Sequence, residues 1–257
     1  MSALNTALSV LRCFSDARPE LSFADIMAAT GMPKSSTSRM LRALREAQLL
    51  EQDELTRRYR PGLLTFELGR LYRAHDDLIG RAEEQLKAVC ARTGHTGYIA
   101  VLDGAEQMIL RTVQGSNPLR VVNPAGQRTP AVATSNGRAM LARLSDGEIR
   151  KRVPVPFPTL ARNAPQSFDE LMQRIVEIRN SGRSLSENEA IEGVASQGFA
   201  LCSSETGEMI GVAVSYSSQG TEAEERARVG EELAQMARTV GAIIGDAVWG
   251  KAPAVPS

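Results

Sequence analysis

The chain has 257 residues in which 30 Lys and Arg balance 30 Asp and Glu, and its hydrophobic fraction of 42% includes only 4% aromatics. That length predicts two domains with aliphatic cores, and the zero net charge excludes a chain that coats nucleic acid non-specifically while leaving room for a local basic surface. No run reaches the roughly 18 consecutive apolar residues of a spanning helix, the start MSALNTALSV lacks a signal-peptide pattern, and Cys13, Cys90 and Cys202 have no CxxC pairing, so the expectation is a cytoplasmic protein with no membrane association, disulfide framework or structural zinc.

Leu4, Leu8, Leu11 and Phe14 recur at helical spacing and predict an amphipathic helix over about residues 4–15. Pro19 ends it. Ser22, with Asp25 three residues on, reads as a capping box opening a second helix that Gly31 closes. Pro33 opens a third, through KSSTSRMLRALREAQ, whose apolar Met40, Leu41 and Leu44 leave Lys34, Ser35, Ser36, Ser38, Arg39 and Arg42 largely free. Two short helices around a tight Gly-containing turn make a helix-turn-helix candidate.

The third helix has the side chains that DNA reading requires. Lys34, Ser35, Ser36, Thr37 and Ser38 sit near its N-terminus, where backbone N–H groups favour phosphate, and Arg39 and Arg42 follow with the reach for phosphates or guanine edges. LLEQDELTRRYRPG then reads as two short strands around an acidic turn, with Arg57, Arg58, Tyr59 and Arg60 on the return strand of a wing. Residues 1–70 hold ten basic and eight acidic side chains, so the neutral total conceals a slightly basic leading segment.

These residues resemble the IclR family of bacterial transcription regulators. MPKSSTSRMLRALREAQLLEQDELTRRYRPG is similar to its helix-turn-helix and wing, ELGRLYRA to the start of its linker helix, and the likeness continues through GYIAVLDG, RTVQG, ATSNGRAMLA and EGVASQGFAL. The resemblance implies a winged helix-turn-helix domain over 1–62, a helical linker over 63–92 that also dimerises, an effector-binding domain over 93–250 and a flexible tail over 251–257. Its overall class is α+β, and the second domain is GAF-like with a mainly antiparallel sheet.

The residues themselves agree with that plan. Apolar periodicity runs from Leu63 to Arg92, about 45 Å of helix or of two broken helices, with Gly80 a plausible bend. Beyond Gly94, TGYIAVLDG and EQMILRTVQG form strand-like runs around Asp103-Gly104, a hairpin signal. Helices follow at NGRAMLARL and at SFDELMQRIVEIRNSG, the latter with Ser167 and Glu170 as a capping box. SQGFALCSS and GEMIGVAVSYSS read as strands, and Thr221 with Glu224 as the capping box of a final helix.

Catalytic chemistry is not indicated. His75 and His95 have no HxxxH partner, and there is no GxSxG, Walker loop or nucleotide fingerprint, so no catalytic residue, metal or cofactor is assigned. By resemblance the effector pocket instead falls on Ser135, Asn136, Ser186, Ser196, Ala213 and Ser215. Family members that bind small 2-oxo acids carry Asp, Cys and Ser at the positions of Ser186, Ser196 and Ala213; this chain departs at all three. The expected effector is therefore a small organic acid in an uncharged, hydroxyl-rich site, with Tyr98, Phe199 and Tyr216 the rings nearest to it.

The function expected is a ligand-responsive regulator that binds palindromic double-stranded operator DNA as a homodimer or homotetramer. It would control a catabolic operon, as a repressor in preference to an activator. The contrasting expectation is a stand-alone metabolite sensor or enzyme with a vestigial helix-turn-helix.

Overall fold

The computed structural model describes residues 2–15, 17–71, 77–117, 123–158 and 161–250, and the chain divides into two units, 1–75 and 76–257. His75 and the tail 251–257 lie outside the described residues.

The first unit is built on local capping and one small core. α1 (Ala3–Leu11) is shorter than its apolar spacing predicts, because the Cys13 and Phe14 amides make tight i−3 bonds to Val10 and Leu11. α2 (Phe23–Thr30) carries the expected reciprocal Ser22–Asp25 box and ends on Gly31 at φ 66°, the left-handed conformation that glycine tolerates. α3 (Lys34–Glu46) leads into β1 (Leu50–Gln52) and β2 (Tyr59–Pro61), which pair antiparallel. Leu21 adds a short bridge to Tyr59, and Val10, Leu21, Ile26, Leu41, Leu44, Leu50 and Tyr59 form the core.

The segment read as one linker is shared between the units. α4 (Leu63–Leu71) belongs to the first and α5 (Asp77–Thr93) to the second, and α5 runs unbroken through Gly80. On α4, Leu63, Phe66, Leu68 and Leu71 are all exposed.

In the second unit, six strands form one antiparallel sheet in the order β5-β4-β3-β8-β7-β6. They are β3 (Thr96–Asp103), β4 (Glu106–Val113), β5 (Arg128–Pro130), β6 (Ser184–Glu187), β7 (Val194–Cys202) and β8 (Met209–Ser217). The α+β class and antiparallel sheet are as expected. Period-two alternation gives the sheet two dry faces. Ile99, Val101, Phe199, Leu201, Val212, Val214 and Tyr216 pack against α5 and α9 (Ala223–Ile244). Tyr98, Ala100, Ile109 and Ala200 pack against α6 (Ser135–Ala142), which α7 (Asp146–Arg152) and α8 (Phe168–Ser181) cover in turn.

Two caps differ from expectation. Glu222, not Thr221, precedes α9 and makes no side-chain cap bond, and the Thr221 carbonyl accepts from Arg226 Nε at 2.9 Å. Ser167 caps Glu170 N–H, but the Glu170 carboxylate accepts from Gln166 N–H instead of returning to Ser167.

One buried acid ties the chain's later part to the sheet. Asp246, 2% exposed, pairs with Arg143 and accepts from the amides of Cys202 (2.7 Å), Val248 (2.8 Å) and Trp249 (2.9 Å). Removing one partner of a buried pair costs about 3–5 kcal/mol. Asp246→Ala is therefore expected to lower the melting temperature of the second unit by roughly 10 °C, at about 2–4 °C per kcal/mol for a domain of this size. Scanning calorimetry checks this, and a shift of about 2 °C or less would contradict it.

Candidate DNA-reading face and effector cavity

α3 presents two faces because its apolar positions recur at spacings of four and three. Thr37, Leu41 and Leu44 are buried, and Lys34, Ser35, Ser38, Arg39 and Arg42 are exposed, with Ser36 half-buried. Thr37 corrects the sequence reading: it occupies the inward stripe, is 0% exposed, and donates its hydroxyl to the Pro33 carbonyl at 3.1 Å, so it does not face outward. Among the described residues, Lys34, Arg39 and Arg42 form no ion pair.

The wing arginines are not equivalent. Arg57 and Arg58 lie in the turn before β2, not on the strand as expected, and Arg57 has φ 57°. Asp53 organises that turn by accepting from the Leu55 and Thr56 amides, and these hydrogen bonds hold its carboxyl below the usual range. The Arg58 guanidinium donates to the Glu20 carbonyl at 3.3 Å. Arg60 pairs with Glu51 at 2.6 Å and lies 3.8 Å from Glu20, so its charge is compensated within the unit. Arg57 and Arg58 are both exposed and without an ion pair among the described residues, and of the two Arg57 has no side-chain hydrogen bond either.

In the second unit, a cavity of about 40 Å³ lies between the sheet and the start of α6. Asn136, Ser186, Ser196, Ala213 and Ser215 all line it. The strand register brings them there: Ser186 faces Ser196, Ser196 faces Ser215, and Ala213 faces Tyr98. The close approach of α6 depends on two glycines. A Cβ on Gly211 would lie 2.9 Å from Asn136 Cβ, and one on Gly198 would lie 2.7 Å from the Val212 carbonyl and 3.2 Å from Asn136 N.

Ser135 stands apart from the other five. It is 0% exposed and bonds Ser196 Oγ at 2.8 Å, so it orients the wall without forming it. Other hydroxyls are also committed, Ser186 to the Ala133 carbonyl at 3.3 Å and Thr134 to the Gly137 amide at 3.2 Å. Of the three rings expected nearby, Tyr98 alone lines the cavity; Phe199 and Tyr216 alternate onto the α5–α9 face. Burial pushes the Tyr98 hydroxyl up to about 12, which keeps it neutral.

Sequence reasoning missed Gln107, Ile109, Asn123, Thr134, Ala190, Ile191 and Val194, which complete the lining. Gln107 and Ile109 face inward because a register shift opposite Ile99 and Ala100 resets β4. Among the described residues no charged side chain lines the cavity. Its wall at Ala190 and Ile191 is held by the neighbouring Glu189, 5% exposed, which pairs with fully buried Arg138 of α6 and with Arg174 of α8 at 2.9 Å. Arg138 also donates to the carbonyls of Val132 (2.8 Å) and Leu185. Burial pushes its pKa down, and the hydrogen bond and charge of Glu189 oppose that shift.

A larger groove of about 610 Å³ lies along β6 and shares Ser186 and Ser196 with the cavity. Two of its three exposed or half-buried arginines are already paired, Arg174 with Glu189 and Arg226 with Glu187. His95 is buried with Nε2 2.9 Å from Glu225 Oε1 and its ring against Tyr216, on the sheet's other face. Among the described residues no three metal-type ligands cluster, and no helix is long and apolar enough to cross a membrane.

Comparison with known proteins agrees with both units. The IclR helix-turn-helix domain matches residues 3–54, and the bacterial transcriptional regulator IclR C-terminal domain matches residues 71–242. The chain is 24% identical to the HTH-type transcriptional regulator XynR of Escherichia coli over 246 residues, covering 95% of this chain and 98% of that protein. It is 28% identical to the HTH-type transcriptional regulator TtgV of Pseudomonas putida over 190 residues, 74% of this chain and 72% of that one. Among solved structures, an IclR transcriptional regulator from Alicyclobacillus acidocaldarius has a TM-score of 0.80 at 21% identity, covering 93% of this chain and 97% of that one. An IclR homolog from Microbacterium hydrocarbonoxydans, complexed with 4-hydroxybenzoate, has a TM-score of 0.79 at 18% identity, covering 91% and 97%. With a helix-turn-helix unit followed by a ligand-binding domain built on a curled antiparallel sheet, matched along nearly its whole length, the chain belongs to the IclR family of bacterial transcriptional regulators.

Proposed function

We propose that this regulator represses transcription by binding a palindromic operator as a homodimer or a dimer of dimers, and that a small organic acid in the α6 cavity changes its DNA affinity. The observation that carries the DNA-binding part is the outward row Lys34, Ser35, Ser38, Arg39 and Arg42 on α3, whose cations have no acidic partner among the described residues. An exposed unpaired arginine is available to phosphate or guanine, whereas one held by glutamate is not. The contacts divide accordingly: Ser35 and Lys34 at the helix start and Arg57 of the wing engage phosphates, and Arg39 and Arg42 read base edges. Arg58 and Arg60 hold the wing in place.

Self-association is supported by the exposed apolar side chains of α4, Leu63, Phe66, Leu68 and Leu71, four on one nine-residue helix. The repressor role is supported by similarity to the HTH-type transcriptional repressor AllR of Escherichia coli, 26% identical over 57% of this chain. The acid is supported by the uncharged polar lining among the described residues, by the Ser135 and Asn136 amides at the start of α6, which the Thr134 cap does not occupy, and by the solved relative that holds 4-hydroxybenzoate.

Fluorescence anisotropy on a selected operator tests the division of arginines. Arg57→Ala weakens binding to all sequences and reduces the slope of log affinity against log salt by about 0.9. Arg39→Ala narrows discrimination between operator and mutated sites by about 1–3 kcal/mol per base contact. Equal loss of discrimination in both variants would refute the assignment. Thermal-shift screening tests the cavity: an organic acid at 100-fold its Kd adds about 2.7 kcal/mol of stability, roughly 5 °C or more. Ala213→Leu, which fills the cavity, removes that shift and leaves DNA binding intact; a shift that survives the substitution places the ligand elsewhere.

A further inference from the structure

The cavity's hydroxyls and its amides are in different states. Ser186, Ser196 and Thr134 already make hydrogen bonds within the protein. Gln107 Oε1 and Asn136 Nδ2 do not: both side chains are 4% exposed, and among the described residues neither atom has a partner. A buried amide group left unpaired costs about 1–3 kcal/mol, so two such groups on residues that line one cavity would gain from a bound partner. Their polarities are opposite. Asn136 Nδ2 donates, and Gln107 Oε1 accepts.

That opposition restricts the ligand. Among the described residues the lining holds no Lys, Arg or His, so a carboxylate there accepts from N–H groups, of which Asn136 Nδ2 beside the first turn of α6 is one. A carboxylate oxygen cannot also face Gln107 Oε1, because two acceptors repel. An alkyl or bare aryl group there would leave Oε1 unpaired. In the orientation in which Oε1 points at the ligand, the group opposite Gln107 donates a hydrogen.

We propose that Gln107 is a specificity-determining residue of the effector site, and that the effector is a hydroxy acid whose hydroxyl donates to Gln107 Oε1 while its carboxylate accepts from Asn136 Nδ2. The assignment rests on reading the α6 cavity as the effector site. Recognition then follows hydroxyl placement, and the matching acid without its hydroxyl is discriminated against through the orphaned Gln107 oxygen.

Isothermal titration calorimetry of the full chain with matched acids tests it: lactate against propionate, malate against succinate, and 4-hydroxybenzoate against benzoate. In whichever pair binds, the hydroxylated member binds about 10- to 100-fold more tightly to the wild type. Gln107→Met, near-isosteric and unable to accept this hydrogen bond, removes that preference by weakening the hydroxylated acid while changing its partner less than about threefold. Circular dichroism and melting temperature establish that the variant is folded; if it is not, the wild-type preference alone decides. Acids that bind the wild type without regard to the hydroxyl, or a preference that survives in a folded Gln107→Met, overturn the role of Gln107 and leave the cavity reading standing. Binding of no acid from either set overturns the small-acid reading, and this assignment falls with it.

Discussion

The second unit depends on a buried ion pair that its hydrophobic layers alone would not produce. Arg138 is 0% exposed on a helix sandwiched between the sheet and α8, and a guanidinium there is tolerated because Glu189 and two backbone carbonyls accept hydrogen bonds from its N–H groups. Arg174 adds a second cation on the other side of the same carboxylate. The consequence is positional. One acid fixes the β6–β7 connection to α6 and α8 together, so the segment carrying Ala190 and Ile191 closes one side of the cavity at a defined depth. Asn188 reinforces it by accepting from the Gly193 amide at 2.7 Å and the Ser218 hydroxyl at 3.0 Å.

Around that fixed wall the chemistry is neutral. Arg138, Glu189 and Arg174 pair with one another behind the cavity, and the described residues facing inward supply amides, hydroxyls, small aliphatic groups and one un-ionised phenol. A site of this kind selects by hydrogen-bond direction and shape more than by charge. The two glycines of β7 and β8 that admit α6 to the sheet set how shallow the cavity is, so local packing and ligand size are linked. The first unit uses the opposite arrangement, with charge left uncompensated on α3 and compensated at Arg60 where the wing must hold its shape.

Much of this was readable from residue order. The Ser22–Asp25 box, Gly31, the Asp103-Gly104 hairpin and the apolar periodicities located most elements, because each is a short-range device. Thr37 was misread for the same local reason: counted as a hydroxyl it belongs with the serines, but its spacing to Leu41 and Leu44 puts it inside. Phe199 and Tyr216 could have been assigned to the opposite face from Ser196 and Ala213 by parity along their strands. Ser145 and Glu148 spelled out the box that starts α7, a signal that went unused. Gln107 was not legible, since only the β4 register shift turns it inward. Nor was the Arg138–Glu189 pair, whose members stand 51 residues apart and are joined by the packing of α6 under β6.

The central claim is that occupancy of the α6 cavity and DNA affinity are coupled, which requires the ligand to bind the DNA-competent and DNA-free forms with different affinities. The direct test is the affinity of the full chain for its selected operator, measured by fluorescence anisotropy at fixed salt with and without a saturating acid identified by calorimetry. A change of about 5- to 150-fold is predicted, corresponding to a coupling of about 1–3 kcal/mol. Equal affinity in the two conditions would contradict the account.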